Sequence, residues 1–280
     1  MLNTRMAPPS FALRPFVWIY GHTEGIIPDE PMTVPLPARP KQVLMFFFRD
    51  RYDVYLHDTG RCETSPHSIV VGPQTFYRLD LSVAGTVDAF TIHFQPAGFH
   101  HLYGTPMFEV ANQSYDADGV IGVEVSTLRQ RLSSVSTFEE RIHIAEEYLL
   151  RWVRASGCLD RVAREANRLF ASHGMSTVAS MAARAELTER QFERRFLAQV
   201  GVSPKLYSRV IRFSAALDRK LASPDTPWTD IAHDLCYHDQ MHMVHDFRDL
   251  AGDSPSQFLI RVNEAPEFKT MFKAADCPSV

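Results

Sequence analysis

The chain has 280 residues, 45% of them hydrophobic and 22% charged, with a formal net charge of −4. That length allows one or two domains with sizeable cores, and the balance is ordinary for a soluble globular protein. Cys62, Cys158, Cys236 and Cys277 lie far apart with no CxxC pair, which argues against a disulfide framework or a zinc ribbon and fits a reducing cytosol. No apolar run reaches the length of a membrane span, and the N-terminus has prolines where a signal peptide needs an apolar core. A cytoplasmic protein with no membrane partner is expected.

Residues 1 to about 30 read as loop because Pro8, Pro9, Pro15 and Pro28 interrupt them, although Phe16 to Tyr20 has the composition of a short strand. Pro31, Pro35, Pro37 and Pro40 punctuate the next piece. Gln42 to Phe48 then reads as a buried strand, and Tyr52 to His57 alternates as another. Ser68 to Val71, Phe76 to Leu81 and Val87 to Phe94 follow, separated by Gly72-Pro73 and Gly85. Short strands at this spacing predict an all-β barrel or sandwich. Its aromatics are core residues for the most part, with Phe46, Phe48, Tyr55, Phe76, Tyr77 and Phe90 as candidates to line an apolar effector pocket.

From Pro96 the texture changes. Pro96 to His101 reads as a turn into a short helix, and Val123 to Leu132 as a helix. Ser136 with Glu139 forms a capping box for a long helix to about Arg154, which Gly157 ends. Phe138, Ile142, Ala145, Leu149 and Trp152 step along it by three or four, one amphipathic stripe. Two roles are open to that stripe: packing on the β region, or pairing with its copy in a homodimer.

Between Ser176 and Val262 the chain repeats itself. Gly201-Val202-Ser203-Pro204, with Tyr207 three residues on, returns as Gly252-Asp253-Ser254-Pro255 with Phe258, an offset of 51. In the first unit, Thr177 to Ala185 is an alanine-rich helix with Val178, Met181, Ala182 and Ala185 on one stripe. Glu186-Leu187-Thr188 breaks it. Thr188 and Gln191 then form a capping box for a second helix to about Val200. Phe192, Phe196 and Val200 face inward, and Arg190, Gln191, Glu193, Arg194 and Arg195 face outward. A short helix, a tight turn and a second helix with an exposed basic face is a helix-turn-helix. The second unit runs Ile231 to Leu235, a turn at Cys236-Tyr237-His238, and a helix from Asp239 to about Leu250. Ser203 and Pro204 start the helix between the units, which should reach about Leu221.

These motifs carry a family resemblance. Residues from about 160 to 262 resemble the DNA-binding domain of the AraC/XylS family of bacterial transcription regulators. The matching residues are Leu187-Thr188-x-Arg190-x-Phe192-x-Arg194-x-Phe196 and Gly201-x-Ser203-Pro204-x-x-Tyr207, then Ile231-Ala232, Tyr237-x-Asp239-Gln240, Phe247-Arg248 and Gly252-x-Ser254-Pro255-x-x-Phe258. The resemblance implies an α+β chain. It places a cupin-like β-barrel sensor at 1–120, a helical connector with a possible dimerisation role at 121–157, an all-α tandem helix-turn-helix domain at 158–265 and a tail at 266–280. It implies double-stranded DNA, a small-molecule effector and RNA polymerase as partners, and transcription regulation rather than catalysis. The DNA-contacting set it implies is Thr188, Arg190, Gln191, Arg194 and Arg195, with His238, Gln240, Met241, His242 and His245 in the second unit. That second unit departs from the pattern: many members carry Gly where Cys236 stands, a small polar residue at Met241, Phe at Met243, Arg at His245 and a basic residue at Asp249.

Charge divides the two units. From Arg161 to Arg212, ten basic residues face four glutamates, a balance of +6, whereas Phe213 to Val262 carries four basic residues against eight aspartates, −4. Affinity for phosphate should come mainly from the first unit. His238, His242 and His245 have helical spacing but lack the glutamate of an HExxH site. His57, His67, His93, His100 and His101 lack the clustered His-x-His with a glutamate that cupin enzymes use, so no metal and no cofactor is expected. The rival readings are a cupin-type oxygenase or isomerase with a helical appendage, and a regulator whose second helix-turn-helix binds a protein.

Overall fold

The computed structural model describes residues 2–264. The expected tail at 266–280, with Cys277, lies outside them. Eight strands form one antiparallel sheet: β1 (Leu2–Ala7), β2 (Val17–Leu36), β3 (Gln42–Phe47), β4 (Asp53–Leu56), β5 (Arg61–Thr64), β6 (Ser68–Val71), β7 (Leu79–Phe94) and β8 (Ser114–Asp116). Their order is β1-β2-β7-β3-β6-β8, with β4 on β7 and β5 on β4. The long strands β2 and β7 pair from Val17↔Phe94 to Leu36↔Leu79. The other edge of β7 takes β3 along Ala89–Phe94 and β4 along Leu79–Ser82.

Two N-terminal expectations are corrected. The stretch up to about residue 30 is mostly β1 and β2, not loop. Pro8, Pro9 and Pro15 fall between those strands, and a register shift between Ile27 and Met32 accommodates Pro28 and Pro31. The two strands expected either side of Gly85 are one, because β7 runs through that glycine, which adopts φ +69°.

The pleat gives this sheet two unlike faces. Tyr20, Leu44, Phe46, Phe90, Ile92 and Phe94 lie on one and are buried in the main core. Gly21, Val43, Met45, Ala89, Thr91 and His93, their neighbours in sequence, line a cavity on the other.

Helices α1 (Gly98–Tyr103), α2 (Ala117–Ile121), α3 (Glu124–Ser133) and α4 (Phe138–Ser156) follow in sequence. The capping box of α4 is Thr137 with Glu140, one residue later than the expected Ser136 with Glu139. Phe138, Ala145 and Leu149 of its stripe are buried with Leu44, Phe46 and Phe90, and Ile142 and Trp152 pack against that core. The stripe therefore packs on the β region. Arg141, buried in the same helix, donates to both carboxylate oxygens of Asp88 at 2.6 and 3.1 Å. His22 adds a 2.9 Å contact to the same carboxylate. Burial works against the Asp88 charge, but the hydrogen bonds from His22 and Arg141 outweigh it and hold the group well below the usual carboxylate range.

Seven helices follow among the described residues: α5 (Arg161–Ala171), α6 (Val178–Arg184), α7 (Glu189–Val200), α8 (Pro204–Ala222), α9 (Trp228–Asp234), α10 (Gln240–Ala251) and α11 (Pro255–Glu264). No strand lies between 176 and 262. One core gathers Leu169, Met181, Phe192, Phe196, Tyr207 and Ile211. The other gathers Phe213, Ile231, Met243, Phe247 and Phe258, joined by Val34 and Ala38 from the β region. Each buried phenylalanine contributes roughly 1.5–3 kcal/mol. No helix among the described residues is long and apolar enough to cross a membrane.

Candidate nucleic-acid interface

The first unit is built as its local chemistry demands. Thr177 caps α6, and Glu186 turns the chain at φ +56°. Thr188 then accepts from the Gln191 backbone while the Gln191 side chain accepts from the Thr188 backbone. This reciprocal cap satisfies two of the donors a helix start leaves open. It fixes where α7 begins and thus which side chains face out. Thr188, Arg190, Gln191, Arg194 and Arg195 are all exposed, while Phe192 and Phe196 are fully buried.

The electrostatics leave the outer face of α7 cationic. Glu186 pairs with Arg161, not with Arg190. Arg168 and Arg184 converge on the buried Glu165 at 2.5 and 2.8 Å. Among the described residues no salt bridge involves Arg190, Arg194 or Arg195, so α7 presents three guanidinium groups clear of acidic partners.

The second unit has the same frame and different chemistry. Cys236 turns the chain at φ +54°, as Glu186 does. Matching backbone bonds, Leu187 to Ala182 and Tyr237 to Ala232, place the first helices of the two units 50 residues apart. The recognition helices begin at Glu189 and Gln240, 51 apart. His238 is the extra residue, an insertion in the second turn that the 51-residue repeat alone concealed. Asp239 caps α10 by accepting from the His242 backbone at 2.7 Å and also meets the His238 ring at 3.1 Å. His238, Gln240, Met241 and His245 are exposed, and His242 is half-buried with its ring edge-on to Tyr237 at 5.4 Å.

Superposing the recognition helices by their 51-residue offset pairs Arg190 with Met241, Gln191 with His242, Arg194 with His245 and Arg195 with Asp246. Asp246 is buried, not groove-facing, and binds Arg209 at 2.9 Å. Arg209 also reaches Asp249 at 2.6 Å. Arg219 pairs with Asp234, Arg261 with Asp253, and Arg212 lies over the Tyr237 ring. Arg209, Arg212, Arg219 and Arg261 are thus committed within the fold, whereas Arg248 on α10 is exposed.

The helix-turn-helix geometry has a counterpart among known domains. Residues 181–261 match the family model of a helix-turn-helix domain of the AraC type. The C-terminal region is an AraC-type helix-turn-helix domain, the DNA-binding part of a transcription regulator. A second match, over residues 5–116, is to a domain of unknown function (DUF6597). No curated protein sequence matches the chain significantly. Among solved structures, ToxT from Vibrio cholerae O395 is 9% identical, with a TM-score of 0.45, over 93% of this chain and 97% of that one. The DNA-binding domain of AdpA, solved on a target DNA, is 24% identical with a TM-score of 0.35, covering 39% of this chain and 99% of that domain. The AraC-like activator CuxR is 13% identical with a TM-score of 0.21, over 97% of this chain and 90% of that one.

In the N-terminal domain of this regulator the sheet wraps around a cavity of about 170 Å³. Its walls come from Met6, Thr23, Val54, Ile69 and Leu81 as well as the small-residue face of β7, with Arg39, Lys41, Gln74 and His93 supplying polar groups. Desolvation and the Lys41 charge push the His93 pKa down to about 3. His93 Nδ1 and Gln74 Oε1 are buried without a protein hydrogen-bond partner. None of the six aromatics expected to line an effector pocket belongs to this wall. Phe46 and Phe90 are in the core on the opposite face, and Phe48 lies under Arg141 beside a separate polar hollow. Tyr55 and Phe76 are exposed. Tyr77 contacts the helical domain, donating to Asp80 and accepting from Arg261. Among the described residues no three His, Cys, Asp or Glu side chains converge as metal ligands.

Arg39 and Lys41 belong to a strip that the sequence marks only by its prolines, Pro35, Pro37 and Pro40. Its Ala38 N–H donates to Leu250 O, at the C-terminus of α10, at 2.8 Å. Tyr207 donates to Pro40 O at 3.0 Å, and Gln42 reaches Val200 O, at the C-terminus of α7, at 3.4 Å. Arg39 pairs with Asp218 of α8 at 3.7 Å. The equivalent glycines of the two units touch the same domain: a Cβ on Gly201 would meet Met107 O at 2.7 Å, and one on Gly252 would meet Tyr77 at 2.9 Å.

Proposed function

We propose that α7 and α10 enter successive major grooves on one face of duplex DNA, about 34 Å apart, and that a small molecule in the sheet cavity controls how well they do so. Arg190, Gln191 and Arg194 read bases in the first groove, with Thr188 and Arg195 on phosphate. Gln240, Met241 and His245 face the second groove, with His238 and His242 at its edge. The α8 helix, 19 residues and so roughly 28 Å long, sets the distance between the units.

One observation carries the effector reading: Leu36, Arg39 and Lys41 line the cavity, while Ala38 and Gln42 of the same strip bond the C-terminal carbonyls of the two recognition helices. A ligand that moves the strip moves the two helices relative to each other, and only differential affinity for the two arrangements is needed. The wall chemistry favours an apolar body with an anionic group, since Arg39 and Lys41 are its cationic members while neutral His93 and Gln74 offer further polar atoms. Dimerisation, if it accompanies binding, uses a surface other than the α4 stripe. Contact with RNA polymerase falls to exposed helical faces away from α7, in the cytoplasm.

The test is affinity for DNA selected from a random pool, measured with small aliphatic carboxylates and with their alcohols. Acids that shift affinity where matching alcohols do not support the reading. Affinity indifferent to every ligand that raises the thermal midpoint overturns the coupling.

A further inference from the structure

The two units differ most where they should read sequence. Arg190 and Arg194 are replaced by Met241 and His245 at equivalent positions. Met241 is 56% exposed at the start of α10, so its apolar side chain stands on the face that the helix-turn-helix frame turns toward DNA. Gln240, beside it, is exposed as well. No guanidinium stands ready to replace the lost arginines, because Arg209, Arg219 and Arg261 are bound to aspartates and Arg212 lies on Tyr237. Arg248 is exposed but sits seven residues beyond Met241, about 10 Å along the helix axis. Base edges are read from the N-terminal turns of a recognition helix, so Arg248 is left to phosphate.

The major-groove code turns that inventory into a sequence preference. Arginine selects guanine, glutamine pairs bidentately with adenine, and apolar side chains select the thymine methyl group. Building on the DNA-reading role proposed above, we infer that the two half-sites are unlike: the first unit selects guanine through Arg190 and Arg194, and the second selects A·T pairs, with Met241 packed on a thymine methyl and Gln240 on an adenine. The second unit also brings net negative charge to the DNA, so it contributes selectivity more than phosphate affinity.

The experiment selects binding sequences for the full chain from a random duplex pool, then replaces thymine by uracil in one half-site at a time, which deletes only the C5 methyl. Uracil in the second half-site weakens binding about fourfold per contacted base, the worth of one buried methyl. Uracil in the first leaves affinity nearly unchanged. The Met241→Ala variant, altered at an exposed helical position, binds thymine and uracil operators alike, and Met241→Arg moves the preference at that base pair to G·C. A G·C-rich second half-site, or undiminished uracil sensitivity in Met241→Ala, overturns this inference and leaves DNA reading by the first unit standing. A pool with no enriched sequence overturns the DNA-reading role and this inference with it.

Discussion

Arg194→Ala tests the base contact proposed for the first unit without disturbing the fold around it. The guanidinium is exposed on the middle of α7 and has no acidic partner among the described residues, so its removal strands no carboxylate. Alanine is the best helix former, and surface changes of this kind stay within about ±0.5 kcal/mol of parent stability. The neighbours that anchor α7, Phe192 and Phe196, are untouched and fully buried. What remains is the contact itself. A bidentate bond to guanine O6 and N7 discriminates by about 1–3 kcal/mol, roughly 5- to 150-fold in affinity. Fluorescence anisotropy on the selected operator and on a scrambled duplex, at fixed salt, separates the terms. Loss on the operator alone, with relaxed preference at one base pair, is expected. Equal loss on both duplexes refutes base reading and makes Arg194 a phosphate contact.

Three further outcomes are expected. Arg209→Ala leaves the buried Asp246 carboxylate without its partner, which should cost about 3–5 kcal/mol; urea unfolding that shifts by less than about 1 kcal/mol would show the pair to be solvated. His245→Arg supplies the charge that Arg194 has in the first unit, and should tighten binding and steepen its salt dependence by about one phosphate-equivalent, read from log affinity against log salt. His93, with its pKa lowered to about 3 in the fold, binds a proton more readily in the unfolded chain, where its pKa is about 6.5. Stability contributed by keeping it neutral is therefore present above pH 6.5 and lost as pH falls toward 3, by up to about 1.4 kcal/mol per unit. Urea midpoints at pH 7 and pH 5 should separate less in His93→Gln than in the parent.

What the sequence disclosed follows how local each determinant is. The Thr188–Gln191 cap is written within four residues, and both helix ends of α7 were legible from it and from the glycine that follows. The Gly201 and Gly252 stops adopt φ +96° and +77°, the conformation glycine supplies most cheaply. The pocket was missed through parity. Phe46 and Phe90 attract notice because they are large, but size sends them to the filled face of the sheet. The cavity exists because Gly21, Ala89 and Thr91, one residue away on the pleat, are small. Residues that leave space carry no pattern of their own. Committed charges are equally silent in sequence: Arg209 meets Asp246 and Asp249 across 37 and 40 positions. The insertion of His238 emerged only when backbone bonds fixed the first helices at a 50-residue offset.

Hydroxyl-radical footprinting on the selected operator tests most directly whether both units engage DNA as a pair. Two protected segments on one face of the duplex, centred about 10–10.5 base pairs apart, are predicted, with Arg190→Ala and Arg194→Ala erasing the one over the guanine-containing half-site. A single protected segment, unchanged by substitutions in α10, would contradict the account and make the second unit a surface for something other than DNA.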